Sequence, residues 1–164
     1  MVKYALKISA TVENISEITT SGPDFEWRLK LQCRDCNEID PSWHSIFETD
    51  EVESKHGPGV FNFQMKCKLC SNVSTIDVVK GSIKPLKVND NDIIDKQVVA
   101  AFDCRGVEPI AFQPQGKWIA KCSETNTVFD DVEFTPDEDI WIGYDEKGNV
   151  PVSIDKFQGC FERL

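Results

Sequence analysis

Alternation of apolar and polar residues dominates the sequence and predicts a protein built from β-strands. In the first run every second side chain is apolar, and most of the residues between them are polar or charged. The apolar positions of this run are Tyr4, Leu6, Ile8, Ala10 and Val12. A period of two places one row of side chains against a core and the other row in solvent. The pattern therefore predicts a first strand with one buried face.

Two further runs of this kind each lead into a cysteine. A turn at residues 20–24, which contain a Gly-Pro pair, precedes the second run. The apolar positions of the second run are Phe25, Trp27, Leu29 and Leu31, and the run ends at Cys33. Phe61, Phe63 and Met65 alternate into Cys67. Both runs predict strands that end at a cysteine.

More strands are predicted in the second half of the chain, and helical periodicity is scarce. Only residues 90–96 have a pattern compatible with a turn of helix. The predicted strands cover residues 73–79, 97–104, 128–129, 132–134 and 150–157. The fold class that follows is mainly β: a compact, sandwich-like or barrel-like single domain over residues 1–164.

A weak internal similarity raises the alternative of two similar halves. At an offset of 104 − 33 = 71 residues, Cys33 falls on Cys104 and several apolar positions also match. The halves would be residues 1–72, which contain two CxxC pairs and would bear a metal, and residues 73–164, which would be metal-free. Strand-rich segments also match by chance, so duplication and coincidence both stay open at this point.

The charge balance excludes several classes of partner. The 164 residues include 18 Lys and Arg against 28 Asp and Glu, which gives a net charge of −10. Nucleic acids and anionic membranes bind basic surfaces, so we expect neither as a partner. The acidity is concentrated near the end, because residues 123–164 contain 3 basic and 11 acidic residues, or 3 − 11 = −8.

Seven cysteines are the most informative residues. The N-terminus lacks the apolar stretch of a signal peptide, and no run of about 18 apolar residues predicts a membrane span. We therefore expect a cytoplasmic protein whose thiols stay reduced. In that environment, paired cysteines indicate metal binding or redox chemistry rather than structural disulfides.

Two CxxC pairs predict a zinc site. The predicted ligands are Cys33, Cys36, Cys67 and Cys70. The pairs are separated by 67 − 36 − 1 = 30 residues. A CxxC at a strand end folds into a tight knuckle with both sulfurs on one side, and pairing of the two preceding strands would bring the knuckles together. Because Zn²⁺ accepts four thiolates in structural sites, we expect one structural zinc per chain in a zinc-ribbon-like site.

The residues around the two pairs agree with such knuckles. Asn37 follows the first pair and tolerates the left-handed backbone that these turns need, whereas Ser71 after the second pair is less favourable. A zinc ion with four thiolates has a net charge of 2 − 4 = −2. Arg34, Lys66 and Lys68 lie close enough in sequence to offset it.

Redox chemistry is the main competing interpretation of the cysteine pairs. A thioredoxin-like CxxC precedes a helix whose N-terminus lowers the thiol pKa, but Pro41 and polar residues interrupt any helix after Cys36. A catalytic zinc keeps an open position and often has His among its ligands. His44 and His56 do not lie at ligand spacing, so we expect a partly exposed strand residue and a solvated loop residue, respectively.

The other cysteines and the acidic clusters have no predicted chemistry. We expect Cys104 and Cys122 to be small buried residues and Cys160, near the C-terminus, to be exposed. The acidic clusters at 130–131 and 137–139 lack the spacing of a calcium loop, so we expect them to be solvated. Nucleotide-binding, serine-hydrolase and zinc-protease motifs do not occur in the sequence.

The cysteine pairs and a longer block resemble a known family. The block reads Cys-Arg-Gly-Val-Glu-Pro-Ile-Ala-Phe-Gln-Pro over residues 104–114 and is more specific than a lone CxxC. Together with Tyr-Asp-Glu-Lys at 144–147, it is similar to the eukaryotic CXXC motif-containing zinc-binding proteins. The resemblance implies a β-rich intracellular protein in which the two pairs hold zinc. It carries over no catalytic residues, because no activity defines that family.

The block itself has two interpretations. In the structural one, Cys104 ends a buried strand, Gly106 permits a tight turn and the prolines stiffen the exit. In the functional one, Arg105 and Glu108 line a groove that binds a partner.

The function expected from the sequence is that of a non-enzymatic, monomeric zinc-binding protein whose surface binds another protein. The alternative is a thiol redox or metal-transfer factor, which requires accessible and labile thiolates. A nucleic-acid-binding zinc ribbon is a third interpretation, which the charge of −10 and the lack of a basic stripe disfavour.

Overall fold

The structure is a computed structural model that describes residues 1–54 and 57–164, so His56 lies outside the described residues. Over these ranges the chain forms strands and turns and no helix, which confirms the mainly β fold class. No helix long and apolar enough to cross a membrane is therefore found among them. In chain order the strands are β1 (Val2–Glu13), β2 (Ile15–Thr20), β3 (Trp27–Cys33), β4 (His44–Ile46), β5 (Val52–Glu53), β6 (Val60–Phe61), β7 (Phe63–Lys66), β8 (Val73–Val78), β9 (Leu86–Lys87), β10 (Ile93–Arg105), β11 (Val107–Gln113), β12 (Trp118–Cys122), β13 (Val128–Val132), β14 (Trp141–Asp145) and β15 (Val150–Arg163).

A curled six-stranded antiparallel sheet forms the centre of the molecule. Its strand order is β14-β15-β1-β10-β8-β7. The long middle strands β1 and β10 pair from Val2 opposite Cys104 to Thr11 opposite Ile93. Irregularities after Leu6 and Ile8 interrupt this ladder, and such bulges increase the twist that lets a sheet curl. Two smaller sheets, β11-β3-β4 and β13-β12-β2-β9, and the β5-β6 pair complete the described fold.

The predicted alternation of buried and exposed positions is confirmed in the strands that carry it. Along β3 every second residue is buried, and Trp27, Leu29 and Leu31 are at most 1% exposed. All five apolar positions of the first run are buried in β1. The apolar rows of these strands face one continuous core.

Aromatic side chains in this core connect the small sheets to the large one. Trp27 and Trp118, both 0% exposed, lie on strands of the two small sheets and are bridged by Phe25. The Phe25 ring centroid lies 4.7 Å from Trp27 and 4.8 Å from Trp118, in edge-to-face arrangements. Phe102 of β10 contacts Trp27 at 5.6 Å, and Phe157 of β15 contacts Trp118 at 5.0 Å. The core therefore spans both small sheets and the six-stranded sheet.

The helical turn predicted at residues 90–96 was wrong. β10 begins at Ile93, and a tight turn precedes it. The Asn89 side-chain oxygen accepts hydrogen bonds from the backbone N–H groups of Asn91 (2.9 Å) and Ile93 (3.0 Å), and Asp92 has a left-handed φ of 60°. Side chains such as Asn compete with helical hydrogen bonds in this way, and here the competing turn forms.

Several strand bounds also differ from the prediction. β11, β12 and β14 were not predicted, and β15 extends to Arg163 instead of ending near residue 157. The pattern in β15 breaks because Lys156 has a φ of 54° where the pairing with β1 shifts. Pro109, expected to stiffen the exit from the turn at Gly106, lies in β11, which is an edge strand with a register shift directly after this proline. Edge strands and bulges are where a sheet tolerates proline.

The strand order of the large sheet is symmetric: the hairpins β14-β15 and β8-β7 lie on either side of the long strands β1 and β10. β1 connects to β2 through Asn14 (φ 57°), and β10 connects to β11 through Gly106 (φ 78°). The carbonyls of these two residues accept equivalent bonds, from the N–H of Ser123 (3.0 Å) to Asn14 and from the N–H of Arg34 (3.1 Å) to Gly106. The two halves thus make reciprocal contacts.

These reciprocal bonds define which residues correspond. Because Ser123 corresponds to Arg34, Cys122 corresponds to Cys33, an offset of 122 − 33 = 89 residues. This correspondence places Cys33 on Cys122, whereas the alignment at an offset of 71 placed it on Cys104. Whether the halves arose by duplication stays a prediction.

Candidate metal centre

The first CxxC pair forms a tight turn directly after β3. The N–H of Cys33 donates to the carbonyl of Glu38 (2.9 Å), and the N–H of Asn37 donates to the carbonyl of Cys33 (2.9 Å). Asn37 has a left-handed φ of 63°, as predicted. These bonds fold residues 33–38 into a closed knuckle that holds the two cysteines of the pair together.

The second pair forms the same turn after β7. The N–H of Cys67 donates to the carbonyl of Asn72 (2.8 Å), and the N–H of Ser71 donates to the carbonyl of Cys67 (2.9 Å). Ser71 has a φ of 67°, so the less favourable residue adopts the same conformation as its counterpart in the first knuckle. The matched turns show that the backbone geometry of the motif outweighs the preference of the serine.

The strands that lead into the knuckles do not pair with each other, which corrects the expected arrangement. β3 lies in a three-stranded sheet, and β7 is an edge of the six-stranded sheet. Packing between these sheets brings the knuckles together; for example, the rings of His44 on β4 and Phe63 on β7 lie 5.5 Å apart. The Asn72 side-chain amide also donates to a carboxylate oxygen of Asp35, which links the second knuckle to the first.

The structure brings the four predicted ligands together. The Sγ atoms of Cys33 and Cys70 lie 3.7 Å apart, and those of Cys36 and Cys67 also lie 3.7 Å apart. All four sulfurs lie within 4.8 Å of one another, and none is in a disulfide. A tetrahedron with Zn–S bonds of ~2.3 Å has S–S edges of ~3.8 Å. The donor set and its spacing therefore fit Zn²⁺.

The pKa values of Cys36 and Cys67 shift in opposite directions. Backbone N–H groups of Cys70 and Leu69 lower the pKa of Cys67 to about 7. The N–H of Glu38 also lowers the pKa of Cys36, but burial and the neighbouring sulfurs raise it more, to about 12. Several thiolates this close repel one another unless a cation is present, and a divalent metal removes that repulsion.

The burial of the cysteines and the charges around them differ between positions. Cys33 and Cys67 are buried, whereas Cys36 and Cys70 are half-buried. Arg34, expected to offset the charge of the centre, donates to the hydroxyl of Tyr4 (2.8 Å). Lys66 and Lys68, the other expected cations, are exposed.

An apolar cleft of about 210 Å³ lies beside the knuckles. Its apolar lining consists of Leu31, Ile39, Pro41, Met65, Leu69 and Val107. Ile39 is 47% exposed and Leu69, inside the second CxxC, is 66% exposed. Glu38, Asp40 and Lys68 also line the cleft. This surface was not predicted from the sequence, although an apolar residue inside a CxxC turn is a local signal for it.

The remaining predicted positions lie outside this centre. Cys104 and Cys122 are buried and Cys160 is exposed, as predicted. His44 is a half-buried residue of β4 as expected, with its Nε2 3.3 Å from a carboxylate oxygen of Asp40. Burial, followed by nearby carboxylates, raises the pKa of Cys104 to about 12, so this thiol stays protonated.

The 104–114 block contains the end of β10, the turn at Gly106 and the strand β11. Cys104 lies one residue before the end of β10, and Gly106 makes the tight connection to β11, as expected. Arg105 is exposed and Glu108 is half-buried. A partner groove at these two residues stays a prediction.

Residues 122–127 and 145–150 form turns like those of the two knuckles. Of the four positions that correspond to the zinc ligands, the first, Cys122, is a cysteine and the other three are not. The N–H of Cys122 donates to the carbonyl of Thr127 (3.0 Å), the same five-residue closure that both knuckles use. Asn149, four residues after Asp145, has a φ of 55° and matches Ser71, four residues after Cys67. Asp145 therefore occupies the position that corresponds to Cys67.

A hydrogen-bonded carboxylate replaces the thiolate cluster at this position. Asp145 is 0% exposed and accepts bonds from the hydroxyls of Thr125 (2.6 Å) and Thr127 (2.9 Å) and from the N–H of Lys147 (3.2 Å). These donors lower the pKa of Asp145, Thr125 most strongly. This site was not predicted from the sequence, because nothing local distinguishes Asp145 from its exposed acidic neighbours.

Comparison with known proteins places the chain in a family. The profile described as "CXXC motif containing zinc binding protein, eukaryotic" matches residues 5–162. The chain belongs to this family. The human CXXC motif containing zinc binding protein is 39% identical over 94% of both chains, and UPF0587 protein CG4646 of Drosophila melanogaster is 39% identical over 100% of this chain and 99% of its own length.

Two solved structures share the fold of this chain. The crystal structure of C1orf123 matches with a TM-score of 0.88 at 36% identity, over 99% of both chains. A hypothetical protein from Plasmodium falciparum shares the fold, with a TM-score of 0.79 at 23% identity over 100% of both chains. The family is described as zinc-binding, and in this chain the four-cysteine cluster contains residues that could bind the metal.

Proposed function

We propose that the four cysteines hold one structural zinc ion per chain and that the protein is a non-enzymatic, cytoplasmic module that binds another protein. The observation that carries the zinc assignment is the sulfur spacing of 3.7 Å, which is close to the edge of a ZnS₄ tetrahedron. The residues that would hold the metal are Cys33, Cys36, Cys67 and Cys70.

A structural role follows from where the knuckles lie. The first is attached to β3 of a small sheet and the second to the edge strand β7 of the large sheet, so a metal there ties the two sheets together. The aromatic core around Trp27 and Trp118 supplies stability that does not depend on the metal. We therefore expect metal loss to loosen this corner and lower stability without unfolding the whole chain, unlike small zinc modules that need the metal to fold.

The absence of catalysis is inferred from the ligand set. Four protein thiolates complete a tetrahedral shell and leave no position for a substrate or an activated water. His44, the histidine in the described ranges, lies against Asp40 and the Phe63 ring. No other cluster with metal-ligand geometry occurs in the described residues.

The apolar cleft beside the knuckles supports the interaction role. Its lining is mostly aliphatic, and Leu69 and Ile39 expose apolar surface at its mouth. Such a site accepts an apolar side chain of a partner protein, with a basic neighbour facing Glu38 and Asp40. A structural zinc fixes the second knuckle and thereby holds Leu69 in place.

The experiment compares the metal content and stability of two matched cysteine variants. Cys67→Ser removes a predicted ligand, and Cys160→Ser makes the same change at an exposed cysteine outside the cluster. We expect one zinc per chain in wild type and Cys160→Ser, and a Cys67→Ser variant with little zinc and a lower unfolding temperature. Equal zinc content in both variants, or zinc loss with unchanged stability, would contradict the proposal.

A thiol redox or metal-transfer function is the second candidate, and the half-buried positions of Cys36 and Cys70 favour it. Native thiol titration with Ellman's reagent separates the two. A tightly held structural zinc leaves one rapidly reacting thiol, Cys160, because Cys104 and Cys122 are buried. Rapid reaction of five thiols, with release of zinc, would instead support metal transfer.

A further inference from the structure

The edge strand β14 has an exposed apolar surface and no partner on its outer side. It pairs with β15 alone and ends the six-stranded sheet within the described part of the chain. Ile142 is 71% exposed and Tyr144 is 50% exposed, and Ile140, directly before the strand, is 38% exposed. Proteins usually protect such edges with an exposed charged residue or a proline within the strand; the one charged residue of β14, Asp145, is 0% exposed, and the strand has no proline.

The backbone of β14 offers hydrogen-bonding groups on this free side. Tyr144 lies opposite Pro151, which has no N–H, so this is a non-hydrogen-bonded pair of the β14/β15 ladder. Such pairs alternate with hydrogen-bonded ones, so Ile142, opposite Ser153, is also a non-hydrogen-bonded position. The N–H and C=O groups of Ile142 and Tyr144 therefore point away from β15, towards the free edge.

The exposed charged side chains that flank this edge are mostly acidic, although Lys147 follows Glu146. Exposed carboxylates flank the strand at Asp137, Glu138 and Glu146. Asp130, Asp131 and Glu133, also exposed, lie on or next to β13, and β13 contacts β14 through Phe129 and Trp141, whose ring centroids are 5.2 Å apart. A second copy of the chain fits this edge poorly, because each copy has a net charge of −10.

We infer that β14 binds an extended, basic segment of a partner protein by strand addition. The segment adds a seventh strand to the sheet, its apolar side chains cover Ile142 and Tyr144, and its Lys or Arg side chains face the flanking carboxylates. This surface is separate from the cleft, since β14 and β7 are opposite edges of the sheet. The inference rests on the proposed function only in that the partner is a protein.

A peptide-binding assay tests the inference. The probe is a fluorescein-labelled peptide of about eight residues with alternating Lys and Val, the length of an ordinary strand. Peptides with Glu in place of Lys, and with the same Lys and Val residues in two blocks, are the controls. We expect fluorescence anisotropy to show salt-sensitive binding of the alternating Lys-Val peptide and weak or no binding of both controls.

Variants of the edge identify the site. Ile142→Pro removes an outward N–H and an apolar side chain without breaking the bonds to β15, and should weaken binding about tenfold or more. If Ile142→Pro does not fold, Ile142→Lys tests the site instead. It keeps the backbone N–H but removes the apolar side chain, and it should also weaken peptide binding. Val60→Thr, a change at an exposed apolar residue of β6, should bind as wild type does.

Three results would overturn the inference. They are equal binding by wild type and both Ile142 variants, equal binding of the Glu-Val peptide, and a wild-type dimer in size-exclusion chromatography that Ile142→Lys dissociates. Zinc content is measured on the same samples and should be unchanged by the Ile142 substitutions. The metal content therefore reports a failure of the zinc assignment, and peptide binding separately reports a failure of strand addition.

Discussion

Replacing Trp27 with alanine should remove a large share of the stability of the fold. The side chain is 0% exposed, and four aromatic rings surround it. The centroid distances are 4.7 Å to Phe25, 5.6 Å to Phe102, 6.2 Å to Phe112 and 6.5 Å to Trp118. Truncation of a buried tryptophan costs about 3–5 kcal/mol, from lost burial and the cavity left behind. For a chain of this size that is a fall of about 6–20 °C in the unfolding temperature.

Trp43 is the matched control for this substitution. It is half-buried, and its ring contacts the Lys30 ammonium group, with Nζ 5.1 Å from the ring centroid. Loss of a cation–π contact at such a half-buried site costs about 0.5–2 kcal/mol, so Trp43→Ala should be the milder change.

The assay for both variants is urea unfolding followed by far-UV circular dichroism, because tryptophan fluorescence changes with the substitution itself. Zinc content is matched between the samples, so that metal loss does not contribute to the difference. If Trp27→Ala is no more destabilising than Trp43→Ala, Trp27 does not hold the sheets together and the description of the core is refuted.

Two further predictions concern positions outside the metal centre. The pKa of Asp145 is lowered in the folded protein, so the stabilisation from its carboxylate is present at neutral pH and is lost below about pH 4 as the carboxylate is protonated. Asp145→Asn should therefore lower stability at pH 7 and flatten the acid dependence of stability in thermal melts from pH 2 to 7. A wild-type pH profile identical to that of the variant would contradict this prediction. Gly159→Ala places a Cβ 2.8 Å from Cδ2 of Phe112 and should cost about 1–3 kcal/mol in urea unfolding, whereas unchanged stability would show that the ring moves freely aside.

Strands with a clean period of two could be predicted from the sequence, but their partners could not. β3 was recognised because each apolar residue from Trp27 to Leu31 has a polar neighbour. Its pairing with β11, in which Val107 lies opposite Cys33, joins residues far apart in the chain. No local pattern encodes such a pairing, and the edge strand β14 was missed for a related reason. Its outer residues Ile142 and Tyr144 are apolar, so no alternation appears.

The cysteine cluster could be predicted because its geometry is largely local. Each CxxC closes its own knuckle through bonds within six residues, from Cys33 to Glu38 and from Cys67 to Asn72. The meeting of the knuckles between two sheets depends on tertiary packing, and so does the link between Asn72 and Asp35. The burial of Asp145 has the same origin, since its threonine partners lie in a different loop.

X-ray absorption at the zinc edge tests most directly whether all four cysteines bind a zinc ion. The protein is purified without added metal, and the bound metals are first identified by mass spectrometry. The predicted spectrum fits four sulfur neighbours at ~2.3 Å and no nitrogen or oxygen in the first shell. A shell that contains nitrogen or oxygen, fewer than four sulfurs, or a metal other than zinc would contradict the claim.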